Sequence, residues 1–195
     1  MMSEFFLRHQ IPNLLTLARI AAVPVLILFL YEGRYGAALA VFVLAGITDG
    51  LDGWIAKRFK CVTRLGSILD PLADKILIVS TYVMLVLAGD LPFWLILLIG
   101  FRDLGIIAGV LVLNTLNGHV QMQPSLLSKV NTFLQISLVI LVMVERIGLI
   151  VLGPAAEILL WFVAVTTVAS AIHYVYFWFI HPLESRVDQK VGSKD

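Results

Sequence analysis

Four aspartates stand out in an otherwise apolar chain: Asp49, Asp52, Asp70 and Asp74. On insertion scales, a charged carboxylate in an apolar span costs about 2.5–3.5 kcal/mol unless it is paired, hydrated or liganded. Asp49 and Asp52, at i and i+3, share one helix face, and so do Asp70 and Asp74, at i and i+4. A short connection would bring the two faces side by side. Four converging carboxylates repel one another without cations, and an all-oxygen set suits a hard divalent ion, Mg²⁺ or Mn²⁺. Neither stretch holds a His or a Cys, which argues against zinc. A positioned carboxylate can also take the proton from an attacking hydroxyl.

The neighbouring residues narrow the chemistry. Gly53 and Ala56 continue the face of Asp49 and Asp52 and leave room for a ligand against the backbone. Gly50 and Gly66 also punctuate the stretch, and close helix packing is the competing role for such glycines. Lys57, Arg58, Lys60 and Arg64 follow at once. Each taken singly could be an ordinary positive loop. Metal ions and basic groups beside an apolar wall suit a lipid-linked diphosphate.

The elements that must position these groups are spans. Of 195 residues, 60% are hydrophobic and 14% charged, against roughly 45–50% and 25% in a soluble domain. The composition predicts an all-α integral membrane protein. Six apolar runs are long enough to be spans, near residues 11–31, 35–55, 71–88, 92–113, 127–144 and 149–179. The last is long enough to tilt or to extend beyond the bilayer. The expectation is one membrane-embedded domain over residues 1–195, with residues 1–10 as a possible interfacial segment and 181–195 as a tail. The single cysteine, Cys61, excludes an internal disulfide or a Cys-based metal site. The net charge of +1 is uninformative, and no feature points to nucleic acid.

Basic residues set the orientation. With six spans, Arg8, Lys57, Arg58, Lys60, Arg64, Lys129, Arg186, Lys190 and Lys194 share one side, and only Arg34 and Arg146 lie on the other. Both termini and the aspartates are then expected at the cytoplasmic face. No Arg-rich, acid-poor transit pattern precedes the first run, so the expected location is a bacterial inner membrane.

Other polar residues interrupt the spans. Asn13, Thr16 and Arg19 fall at i, i+3 and i+6 in the first. An arginine there is either functional or paired with an aspartate for structure. Arg102 and Asp103 interrupt the fourth span, where a structural ion pair competes with a binding role. Ser128, Lys129, Asn131, Thr132 and Gln135 open the fifth. His9, His119, His173 and His181 are scattered and read as interfacial or packing residues.

The spacing Asp-x2-Asp-Gly-x2-Ala-Arg-x8-Gly-x3-Asp-x3-Asp resembles the signature of the CDP-alcohol phosphotransferase family. Here it is filled by Asp49, Asp52, Gly53, Ala56, Gly66, Asp70 and Asp74, with Lys57 then Arg58 where the family carries arginine. Lysine keeps the charge but lacks the bidentate fork. The resemblance implies that family's six-helix fold, a homodimer, and transfer of a phosphatidyl group from CDP-diacylglycerol or a similar donor to an alcohol. By it, Asp49, Asp52 and Asp70 would be metal ligands, and Asp74 both ligand and general base. Asn13, Thr16, Arg19, Asp52, Gly53, Ala56, Lys57, Arg58 and Gly66 would contact the donor.

The first span, with Phe101-Arg102-Asp103, Ser128-Lys-Val-Asn-Thr132 and the run from Val163 to Ala171, extends the resemblance over nearly the whole chain. The first span is similar to both the branch that uses glycerol 3-phosphate and the branch that uses phosphatidylglycerol as acceptor, and the other segments are similar to the latter. Arg64, Arg102, Asp103, Lys129 and Asn131 would then meet the acceptor. Two alternatives stand beside this expectation. One is the branch that uses glycerol 3-phosphate. The other, from a different class, is a divalent-cation transporter, since intramembrane carboxylates also mark ion paths.

Overall fold

The computed structural model describes residues 2–59, 66–117 and 125–191, and side chains mainly within 16–50, 69–109 and 125–176. The described residues form six α-helices and no strand: α1 (Met2–Tyr31), α2 (Tyr35–Phe59), α3 (Gly66–Leu87), α4 (Phe93–Asn117), α5 (Leu126–Ile147) and α6 (Pro154–Val191). Each expected apolar run overlaps one helix, and three of the differences at the ends bear on the expectations. α1 is unbroken from Met2, so most of the stretch expected as a separate interfacial segment continues into the first run. The sixth helix starts at Pro154 rather than at residue 149. Gly148 takes a φ of 82° and ends α5, and proline at a first helical position is already set for the helix. α6 then runs on to Val191, through most of the expected tail.

The chain divides into two compact units. The first comprises Met1–Pro92 and Val139–Leu152. In it α1 packs against both α2 and α3, which contact each other far less among the described residues. Val23, Leu26 and Leu30 of α1, Ala38, Phe42 and Ala45 of α2, and Ala73, Leu77, Tyr82 and Leu85 of α3 are buried. Their spacings of three to five place them on one face of each helix. The alanines let the backbones approach closely.

One end of this unit is tied by Asp90, whose side chain is only 2% exposed. Tyr35 Oη at the start of α2 donates to its Oδ2 at 2.7 Å. Arg146 in the last turn of α5 approaches its Oδ1 at 2.5 Å. Gly89, with φ of 80°, closes α3 as the Asp90 N–H turns back to the Leu85 carbonyl.

The second unit comprises Phe93–Leu138 and Gly153–Asp195, and in it α4 packs against α6. Leu95, Ile99, Leu138, Val163 and Ala164 are buried. Trp94 and Trp161 stack with centroids 5.6 Å apart.

Large apolar side chains also cover the outside: Leu28, Leu44, Leu104, Trp161, Phe162 and Val165 are all exposed. A helix apolar on every side suits hydrocarbon better than water. Over the described residues, α5 and the Pro154–Tyr176 part of α6 are long and apolar enough to cross a membrane. The expected six spans are not reached by this measure. The described apolar stretches of α1 and α2, Thr16–Tyr31 and Tyr35–Gly50, are shorter. α3 carries Asp70, Asp74 and Lys75, and α4 carries Arg102 and Asp103.

Asp90→Ala removes the acceptor for both Tyr35 and Arg146. It is expected to destabilise the protein by about 1–3 kcal/mol, read as a lower thermal midpoint in detergent. An unchanged midpoint would show that the tie contributes nothing.

Candidate active site

Thr16 and Arg19 lie three residues apart on one face of α1 and are both buried. Arg19 Nη2 lies 2.8 Å from Asp49 Oδ1 of α2. Its Nη1 lies 3.0 Å from Asp74 Oδ1 of α3. Thr16 Oγ1 donates to Asp70 Oδ1, also on α3. Three of the four sequence-selected aspartates thus meet one face of α1. The Arg19 side chain is 1% exposed, whereas Asp49 and Asp74 remain 38% and 40% exposed. A buried guanidinium is tolerated when carboxylates compensate it, and removing either side of such a pair is costly.

The donor chemistry is all oxygen, as a hard divalent ion requires. Among the described residues, no three His, Cys, Asp or Glu side chains close into a metal-sized cluster. The fourth carboxylate, Asp52, lies in α2 with its side chain outside the described set. The same holds for Asn13 in α1, for Gly53, Ala56, Lys57 and Arg58 in α2, and for Gly66 at the start of α3. Lys60, Cys61, Arg64, His119 and residues 121–123 lie outside the described residues altogether.

The second unit holds a separate polar network. Arg102 is buried and pairs with the adjacent Asp103 at 2.9 Å. Its Nε and Nη2 donate to Ser170 Oγ of α6 at 3.2 and 2.8 Å, and Nη2 also donates to Ser128 Oγ of α5 at 2.5 Å. The Tyr174 ring lies 5.9 Å from its guanidinium carbon. Asn131 is fully buried, and its Oδ1 accepts from Thr166 and Thr167, each at 2.9 Å. Lys129 is exposed on α5. Of the five expected acceptor residues, the described geometry joins Arg102 with Asp103, gives Asn131 its own partners on α6 and leaves Lys129 outside. An apolar groove of about 290 Å³ runs beside Arg102, with Leu98, Ile106, Val168 and Tyr174 among its lining.

Sequence reasoning took Ser170, Thr166 and Thr167 only as part of the run from Val163 to Ala171 and assigned them no partners. Their spacing along α6, facing the polar run 128–135 of α5, was the available signal. Sequence reasoning passed over Asp90. That residue and Tyr35 fall on the same side of the chain as Arg146 in a six-span topology.

Residues 9–182 match the family model described as CDP-alcohol phosphatidyltransferase. The chain belongs to that family. It is 38% identical over 183 residues to the cardiolipin synthase (CMP-forming) of Homo sapiens, an alignment covering 86% of this chain and 61% of the human protein. It is 39% identical over 171 residues to the CDP-diacylglycerol–glycerol-3-phosphate 3-phosphatidyltransferase of Rickettsia bellii, covering 85% and 93%. A probable phosphatidylglycerophosphate synthase of Mycobacterium tuberculosis is 36% identical over 178 residues, covering 85% and 80%. The chain therefore spans less than two thirds of the human relative, and 56% of the fly protein that it also matches. Identity does not separate the two acceptor classes.

Asp70→Ala is expected to lower the rate of phosphatidyl transfer by orders of magnitude. Near-normal turnover in the folded variant would overturn the assignment of this site.

Proposed function

We propose that the protein is a six-span membrane phosphatidyltransferase. It moves the phosphatidyl group of CDP-diacylglycerol onto phosphatidylglycerol and releases CMP, forming cardiolipin. The observation that carries the class of reaction is the gathering of Asp49, Asp70 and Asp74 on α1, in a chain whose residues 9–182 match the family. Asp49, Asp52, Asp70 and Asp74 would hold Mg²⁺ or Mn²⁺. When bound, the ion neutralises charge on the diphosphate and on departing CMP.

The chain's own groups do the rest. The acceptor hydroxyl oxygen forms a bond to the β-phosphorus, and the bond from that phosphorus to the CMP oxygen breaks. Asp74, held through one oxygen by Arg19 yet 40% exposed, takes the hydroxyl proton. Gly53 and Ala56 leave room for the donor, and Lys57 or Arg58 meets its phosphates. No covalent enzyme intermediate is needed. The basic residues favour a cytoplasmic site with both termini on that side. The family resemblance favours a homodimer.

Phosphatidylglycerol is preferred as acceptor because Phe101-Arg102-Asp103, Ser128-Lys-Val-Asn-Thr132 and the run from Val163 to Ala171 are similar to the branch that uses it. Glycerol 3-phosphate is the second reading. It is supported by the Rickettsia relative, 93% of whose length the chain covers. The comparisons give the transport alternative no support. The test is an acceptor panel with purified protein in Mg²⁺ and in Mn²⁺. Cardiolipin and CMP are expected from phosphatidylglycerol. Conversion of glycerol 3-phosphate, and not of phosphatidylglycerol, would replace the first reading with the second.

A further inference from the structure

The family resemblance places Arg19 against the donor, but its surroundings indicate another role. At 1% exposed, Arg19 is shielded from anything arriving from solvent or lipid. Its two terminal nitrogens are engaged by carboxylates of two different helices, Asp49 of α2 and Asp74 of α3. Among the described residues, both helices pack on α1 far more than on each other. Two like-charged groups brought this close need a shared cation between them. A planar guanidinium fixes the spacing and direction of two acceptors at once, which an ammonium does not. Each bridge engages Oδ1, and both aspartates remain more than one third exposed. Thr16 does for Asp70 what Arg19 does for the other two.

We infer that Arg19 is a positioning residue for the metal site: it holds Asp49 and Asp74 in ligating geometry from behind and does not touch the donor. The inference rests on the reading that these aspartates bind a divalent ion. It separates geometry from charge, because Arg19→Lys keeps the cation and loses the fork.

The test is Mn²⁺ binding to the purified full-length protein without CDP-diacylglycerol, followed by electron paramagnetic resonance or calorimetry. Partners that orient metal ligands are commonly worth about 10–100-fold in affinity. Arg19→Lys is expected to weaken Mn²⁺ binding by at least about tenfold on that scale. Its KM for CDP-diacylglycerol at saturating metal should stay near that of the wild type. Unchanged Mn²⁺ affinity, with or without a raised donor KM, overturns the inference and leaves the metal reading intact. A wild-type protein that binds no Mn²⁺ overturns both. Should Arg19→Lys fail to fold, Arg19→Gln replaces it, since its single short amide cannot span both carboxylates. Several-fold weaker Mn²⁺ binding is then expected, and unchanged affinity overturns the inference.

Discussion

The structure of the first unit depends on one electrostatic problem. Carboxylates on two helices must come close in an apolar chain. Two such charges about 4 Å apart repel by about 4 kcal/mol at an effective dielectric constant of 20. Among the described residues, α1 contacts α2 and α3 far more than they contact each other. Arg19, carried by the helix that packs on both, reaches each carboxylate within 3.0 Å. The apolar faces of α1, and the small residues Ala38, Ala45 and Ala73 opposite them, bring the backbones near enough for this. Packing and charge therefore specify the same arrangement, which is the consistency expected of a sequence that encodes one fold.

The same rule governs the other buried polar groups. Asp90 is nearly sealed, and it receives a phenol and a guanidinium. Arg102 is buried with a carboxylate and two serines around it. Asn131 takes two threonine hydroxyls. Each cluster ties two or three helices within its own unit. At Asp49 and Asp74, carboxylates that remain 38% and 40% exposed meet a guanidinium that is 1% exposed. That combination suits them to ligand chemistry.

Much of this was legible in the sequence. Apolar runs located all six helices, because each run is long and bounded by polar or glycine-rich breaks. The i,i+3 and i,i+4 spacings singled out the aspartates, and both Thr16 and Arg19 were flagged before their partners were known. The partners themselves were not legible. Arg19 to Asp49 and Asp74, Thr16 to Asp70, and Arg102 to Ser170 are pairings between distant helices, and spacing within one helix says nothing about them. Arg102 with Asp103 was visible as an adjacent pair, but its serine and tyrosine surroundings were not. The sixth helix was begun too early because residues 149–152 are apolar. Hydropathy alone does not register that Gly148 turns the chain and that Pro154 starts the helix.

In the proposed function, this aspartate set performs metal-dependent phosphatidyl transfer and Asp74 accepts the proton. The most direct test is CMP release from CDP-diacylglycerol with phosphatidylglycerol and glycerol 3-phosphate both present. Wild type and Asp74→Asn would be compared at saturating Mn²⁺, each verified as folded by its thermal midpoint. Asp74→Asn keeps the size of the side chain and removes its basicity. The account predicts a fall of roughly 10²-fold or more. Turnover within a few-fold of wild type would contradict it.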